Sequence, residues 1–444
     1  MTATPDIHAG RLPRAALDAG FADIAPPLAD HEARLAAERC LYCWDAPCTR
    51  ACPTAIDVPL FIRRIATDDR LGAARTILEA NVLGGTCARV CPTETLCEAA
   101  CVRNASEHRA VEIGRLQRHA TAAVVEAGRP LFARAAETGR RVAVVGAGPA
   151  GLAAAHELAR RGHRVTIHEA RPKPGGLSEY GLAAYKETNG FARIEVDWLL
   201  GIGGIEIEHG RRLGRDLSLA ELTGTFDAVF LGIGLGDTNP LGFDGTAAGV
   251  VDAVDWIADL RQAPDLATVV VGRRVVVIGG GMTAIDAASQ AKRLGAEEVT
   301  IAYRRGLDAM GASDHEKDIA RGDGVLIRTG LRPYSIVSEA GRVIAVEFER
   351  TEVEAGRLRG TGVFVAVPCD QVLVAIGQRL AVADLEGAGV ALDGGRIVVD
   401  AEGRTSVAGV WAGGDCTGVG ADLTVAAVAA GRTAALSIAR ALEA

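Results

Sequence analysis

From Arg141 onward, short apolar runs alternate with glycine turns and helix-length amphipathic stretches. RVAVV (141–145) is an apolar run of strand length, and GAGPAG is a turn. Apolar positions then recur at helical spacing before a second apolar run, RVTIHEA. The same texture returns at 274–303, in RVVVIGGGMTAIDAASQAKRLGAEEVTIAY. The two βαβ units lie about 130 residues apart and predict two doubly wound, Rossmann-like α/β domains. Alternating runs at 341–380 (RVIAVEFERTEV, VFVAVPCDQVLVAIG) read as strands. VAGVWAGGDCTG and a small-residue helix, ADLTVAAVAAGRTAALSIARAL, follow them. The part before these units is expected to be a separate helical module.

Composition narrows the class. The chain has 444 residues, 49% apolar and 23% charged, with a formal net charge of −8. That acidity argues against nucleic acid as the partner. Residues 101–141 reverse it locally, with eight Arg against four Glu, either a solvated helix face or a docking patch. MTATPDIHAGRLPRAALDAG has no apolar core of a secretory signal, and no uncharged apolar run reaches about 18 residues. The expected location is the cytoplasm, without a membrane span, where ten cysteines are poor candidates for disulfides.

Eight of those cysteines fall between Cys40 and Cys101, in the groups Cys40-x2-Cys43-x4-Cys48-x3-Cys52-Pro53 and Cys87-x3-Cys91-Pro92-x4-Cys97-x3-Cys101. Two Cys-Pro dipeptides with close thiols before them follow the ferredoxin pattern of thiolate-held [4Fe–4S] cubanes. Proline after a ligand blocks helical continuation and turns the chain away. Structural zinc is the alternative, but zinc sites usually pair two CxxC motifs, and here only Cys40/Cys43 forms one. Buried free thiols are the other alternative. Eight cysteines would fill two cubanes, and spacing alone does not assign them. Cys369 and Cys416 stand apart and read as packing residues.

The first glycine turn is Gly146-x-Gly148-x-x-Gly151, and Glu169 ends the strand after it. The glycines suit a tight turn, approach of a pyrophosphate and close helix–strand packing, and the acid suits a ribose hydroxyl. The second turn is Gly279-x-Gly281-x-x-Ala284. Its second strand ends in Arg304-Arg305, where guanidinium groups would receive a 2′-phosphate, so NADPH is expected ahead of NADH. Hydride chemistry and one-electron clusters need a flavin between them. The first turn is the flavin candidate, with Gly176 beside it and Gly414-Asp415 near the C-terminal end.

GAGPAGLAAAHEL, LGIG (231–234), VAIG (374–377) and AGGDC (412–416) resemble the flavoproteins with two dinucleotide-binding domains, in which the FAD domain is split around the NAD(P)H domain. The resemblance implies FAD contacts at Gly146, Gly148, Gly151, Glu169 and Asp415. ERCLYCWDAPCTRACPTAIDVPLFIRRIA, GAARTILEANVLGGTCARVCPTETLCEAACVRN and IGRLQRHAT resemble the iron–sulfur, flavin-containing part of dihydropyrimidine dehydrogenase, an architecture shared with glutamate synthase small subunits. That likeness implies one cluster on Cys40, Cys43, Cys48 and Cys101. It implies a second on Cys52, Cys91, Cys97 and Gln117, with Cys87 spare. The expected division is a helical [4Fe–4S] module at 1–137, FAD-domain parts at 138–236 and 379–444, and an NAD(P)H domain at 237–378.

GGLSEYGLAAYKETNGF departs from the family pattern beside the flavin, which leaves open the side chains that touch the isoalloxazine, Tyr185 and Lys186 among the candidates. The resemblance implies a hetero-oligomer with an FMN-containing dihydropyrimidine dehydrogenase catalytic subunit. A glutamate synthase small subunit or a ferredoxin-linked NAD(P)H oxidoreductase is the alternative, and a nucleotide-binding iron–sulfur assembly protein without turnover is a third reading.

Overall fold

The computed structural model describes residues 6–354 and 356–443. They form two compact units. The first comprises the described residues through Ile24, Tyr180–Thr188 and Thr238–Gln378; the second comprises Ala25–Glu179, Asn189–Asp237 and the residues from Arg379 onward.

In the second unit, five parallel strands lie in the order Val410–Ala412, Ala228–Leu231, Arg141–Val145, Arg164–Glu169, Ile205–His209. The strand leading to the first glycine turn is central. Its residues Val142–Val145 are buried, because a parallel sheet covered on both faces takes continuous apolar runs. The Pro149–Arg160 and Thr424–Glu443 helices share one core, with Ala150 and Ala153 against Val428, Ala435 and Ile438. Among the described residues, Thr424–Glu443 has the length and hydropathy to cross a membrane, and half of that stretch is buried in this core.

The cysteine module of the same unit is helical as expected, with helices at Asp30–Glu38, Pro47–Ala51, Val58–Ala66, Arg70–Ala80, Gly84–Val90, Arg103–Glu107 and Ile113–Val125. Asp57 and Asp69 cap two of them by accepting the Leu60 and Gly72 N–H groups at 3.0 and 2.8 Å. Phe61, Ile62, Ile77 and Leu116 form a core on which Cys40, Cys48, Cys52, Cys97 and Cys101 pack.

In the first unit the parallel order is Leu326–Thr329, Glu298–Tyr303, Arg274–Gly279, Gln371–Ala375, Val250–Asp252. A three-stranded antiparallel sheet, Leu331–Glu339, Arg342–Glu354 and Arg357–Pro368, accompanies it. The leading segment differs from the expected undivided module at 1–137. Ile7–His8 pairs antiparallel with Val271–Gly272, and Leu17 and Phe21 enter the core around Trp256 and Ile285. Apolar burial on the first unit outweighs continuity along the chain.

Candidate functional site

The two Cys-Pro dipeptides act as the sequence suggests. Cys52 ends the Pro47–Ala51 helix with φ −83° and ψ 120°, and Cys91 ends the Gly84–Val90 helix with φ −62° and ψ 134°. Both are extended because the following proline disfavours helical backbone. Between Cys40 and Cys48 the loop bends through left-handed conformations at Tyr42 (φ 51°) and Ala46 (φ 34°).

These bends gather the thiols. Cys40 lies within electrostatic reach of Cys43 and Cys101, and Cys48 within reach of Cys40 and Cys101. Cys91 shares a thiol hydrogen bond with Cys87 and feels Cys97 and Cys52. All ten cysteines are free thiols. Burial raises the Cys40 and Cys97 pKa values and pushes Cys48 up to about 11. Cys91 is raised first by its bond with Cys87 and then by burial. Clustered thiols that resist ionisation alone suit a cationic iron core, which stabilises the thiolates. Among the described residues, no group of three or more His, Cys, Asp or Glu side chains is arranged to hold a single metal ion. Cys369 and Cys416 are fully buried packing residues, as expected.

Gln117, on the Ile113–Val125 helix, is buried and donates its Nε2–H to the Gly84 carbonyl at 2.7 Å. The Gly84–Val90 helix is held from its other side by Phe191–Leu200. Glu195 is fully buried and accepts the Gly85 and Thr86 N–H groups at 2.7 and 3.0 Å. The Arg89 guanidinium lies 3.4 Å from the Phe191 ring centroid. Sequence reasoning missed Glu195, since an acid in an amphipathic helix carries no local mark of a partner 110 residues earlier.

At the first glycine turn, a side chain on Gly151 would land on the Gly146 carbonyl, so glycine is obligatory. At Gly148 a Cβ would meet only the Gly176 Cα, at 3.8 Å, which leaves open the face that a pyrophosphate approaches. Glu169 is buried and accepts the Ala147 and Arg171 N–H groups, each at 2.7 Å. Gly176 (φ 57°) and Gly414 (φ 80°) lie in the same unit, as does Asp415. Burial, with Asp422 adding to it, raises the Asp415 carboxyl to about 6, against the opposing Arg396. Arg396, another residue the sequence did not mark, donates to the Asp415 carbonyl and binds Asp422 at 2.9 Å.

The second turn repeats the arrangement in the first unit. A Cβ on Gly279 would strike the Ala375 carbonyl, while one on Gly281 would meet nothing within 4 Å. Ala284 is buried in the following helix. Tyr303 covers Gly280 and donates its hydroxyl to the Ala309 carbonyl at 2.6 Å; Ala312 N–H reaches the Gly280 carbonyl at 3.1 Å. This return of the chain brings the segment carrying Arg304 and Arg305 to the turn. Both arginines are exposed, and their carbonyls accept bonds from Thr351 and Gly330.

Tyr185 and Lys186 belong to the first unit. Tyr185 is fully buried, and Lys186 binds Asp286 and Glu316, each at 2.7 Å. An ammonium this buried requires carboxylates around it. The arginine-rich stretch 101–141 is largely ion-paired, with Arg103, Arg109, Arg134 and Arg140 bound to Glu107, Glu112, Glu137 and Asp227.

Residues 140–431 match the family model described as pyridine nucleotide-disulphide oxidoreductase. Residues 17–129 match that of dihydropyrimidine dehydrogenase domain II, 4Fe-4S cluster. The chain is 35% identical to the glutamate synthase [NADPH] small chain of Escherichia coli K12, over 95% of this chain and 94% of that one. It is 36% identical to the NAD-dependent dihydropyrimidine dehydrogenase subunit PreT of the same organism, over 77% and 79%. Thioredoxin reductase of T. acidophilum superposes with a TM-score of 0.56 at 25% identity, covering 69% of this chain and 100% of that one. Mycobacterium tuberculosis FprA in complex with NADPH superposes at 0.58 and 18% identity, covering 68% and 84%, a likeness of fold.

Proposed function

The chain belongs to the pyridine nucleotide-disulphide oxidoreductase family, as an FAD- and NAD(P)-dependent iron–sulfur member, and from that premise we propose where its electrons come from and go. They enter from NADPH (or NADH), pass through FAD and two [4Fe–4S] clusters, and leave to an FMN-containing partner subunit that reduces uracil or thymine in the cytoplasm. The grouping of eight thiols in the unit that also holds the first glycine turn carries this reading.

Bound FAD and clusters would supply the redox chemistry, a hydride acceptor joined to one-electron carriers. The chain's own work is positioning. The open faces of Gly148 and Gly281 receive the pyrophosphates, Glu169 a ribose hydroxyl, and Arg304 with Arg305 a 2′-phosphate. Gly176, Gly414 and Asp415 complete the flavin site. Cys40, Cys43, Cys48 and Cys101 hold one cluster. Cys52, Cys91, Cys97 and the Gln117 amide oxygen hold the other, since the Gln117 nitrogen is occupied by Gly84.

The near full-length likeness to a glutamate synthase small chain favours a second reading, with the same internal path and a different acceptor. Anaerobic co-purification from the native host, with assays of NADPH-dependent uracil reduction and glutamate formation, decides between them. An FMN-bearing partner with uracil reduction is the expected result. A glutamate-forming large subunit without uracil reduction overturns the pyrimidine assignment.

A further inference from the structure

We infer that Glu195 is a positioning residue for the cluster bound through Cys91: a helix beyond the cysteine module fixes the ligand-bearing helix. The inference rests on the cluster reading above and adds a residue outside every cysteine motif.

The Gly84–Val90 helix connects three groups. Cys91 follows its last residue, Cys87 lies one turn earlier with its thiol hydrogen-bonded to that of Cys91, and the Gly84 carbonyl accepts from Gln117. A helix of seven residues has little stability of its own, so its place must be set from outside. Glu195 does this with both carboxylate oxygens, one on Gly85 N–H and one on Thr86 N–H. The fit is close. A Cβ on Gly85 would come within 2.5 Å of the Phe191 ring and 2.7 Å of the Glu195 carboxylate. Arg89, its side chain almost entirely buried, closes the arrangement by donating to the Gly85 carbonyl at 2.8 Å while its guanidinium stacks on Phe191. Glu195 thus joins the helix that leads into Cys91 to the Phe191–Leu200 helix, whose Val196 and Leu199 pack in the core around the first glycine turn's helix.

The choice of a carboxylate has two consequences. It alone among side chains of this length offers two acceptors and no donor, as two adjacent N–H groups require; a glutamine would turn a donor on one of them. In its ionised form it also adds negative charge at the start of the helix that ends at Cys91, opposed there by the buried Arg89 guanidinium, and removing that charge favours the extra electron of the reduced cluster.

The test uses the anaerobically purified holoprotein, titrated electrochemically and followed by electron paramagnetic resonance, with iron content and melting temperature measured alongside. Glu195→Gln is expected to raise the midpoint potential of one cluster and alter its resonance signal, leaving the other cluster's signal in place. Glu195→Asp keeps the charge and loses the reach, and is expected to alter the signal with a smaller potential shift; it also serves if the glutamine variant does not fold. Asp197→Asn, on the exposed side of the same helix, is the control and should match the unsubstituted protein. Unchanged potentials and signals in both Glu195 variants overturn the inference, as does equal loss of both clusters with a lowered melting temperature, which would make Glu195 a residue of the fold alone. Absence of any [4Fe–4S] signal from the unsubstituted holoprotein would instead overturn the cluster reading.

Discussion

Glu169 and the Arg304–Arg305 pair hold equivalent places, at the end of the second strand of a βαβ unit, and the chain treats them oppositely. Glu169 is buried and folded back onto its own turn, with both oxygens accepting backbone N–H groups. The arginines stand exposed, and their carbonyls accept from Thr351 and Gly330. One turn is completed by the protein, and the other leaves its cationic side chains in solvent. On the function proposed above, that is the difference between a retained prosthetic group and a substrate that comes and goes.

The largest expected effect breaks the first turn. Glu169→Ala leaves the Ala147 and Arg171 N–H groups without their acceptor, at a cost of about 1–3 kcal/mol for each. FAD affinity should fall roughly 100-fold, read from flavin absorbance and fluorescence titration. Full flavin retention would mean that Glu169 does not complete this site. Next, Arg304→Ala with Arg305→Ala should raise KM for NADPH about 30-fold and leave KM for NADH unchanged in a diaphorase assay. A parallel change with both nucleotides would remove the 2′-phosphate assignment.

Gly281→Ala sharpens the comparison, because the added methyl meets nothing in the chain. Melting should stay within about 2 °C of the parent, while KM for both nucleotides rises about tenfold. An unaltered KM would show that no pyrophosphate approaches there. The smallest effect concerns Asp415. Its carboxyl is raised to about 6, so the folded state holds the proton more tightly than the unfolded chain. Stability is therefore lost as pH rises from about 4 through 6. Asp415→Asn should stabilise the flavin-free protein by about 1 kcal/mol at pH 8 and not at pH 4, measured by denaturant unfolding. A gain independent of pH would assign the effect to packing.

Both glycine turns, their strands and the extended Cys-Pro ends were legible in the sequence because local rules govern them: glycine where a Cβ collides, extended backbone before proline, apolar runs in a doubly covered sheet. What was not legible depends on partners far along the chain. Ile7–His8 is two residues long and shows no periodicity, yet it pairs with Val271–Gly272. Tyr185 and Lys186 sit a few residues past Gly175 and Gly176, and their place is decided by Asp286 and Glu316, about 100 and 130 residues on. Glu195 likewise becomes intelligible only once Gly85 and Thr86 are beside it. The unequal surroundings of the thiols, with Cys87 hydrogen-bonded to Cys91, also went beyond what spacing could assign.

The shared core of the Pro149–Arg160 and Thr424–Glu443 helices has a consequence in time. All eight clustered cysteines precede residue 125, whereas the helix that completes the first glycine turn's core begins about 300 residues later. At 5–20 residues per second, roughly 15–60 s of translation separates the two. During that interval a nascent chain has its cysteine module, with that module's own core, before the first glycine turn's core can close.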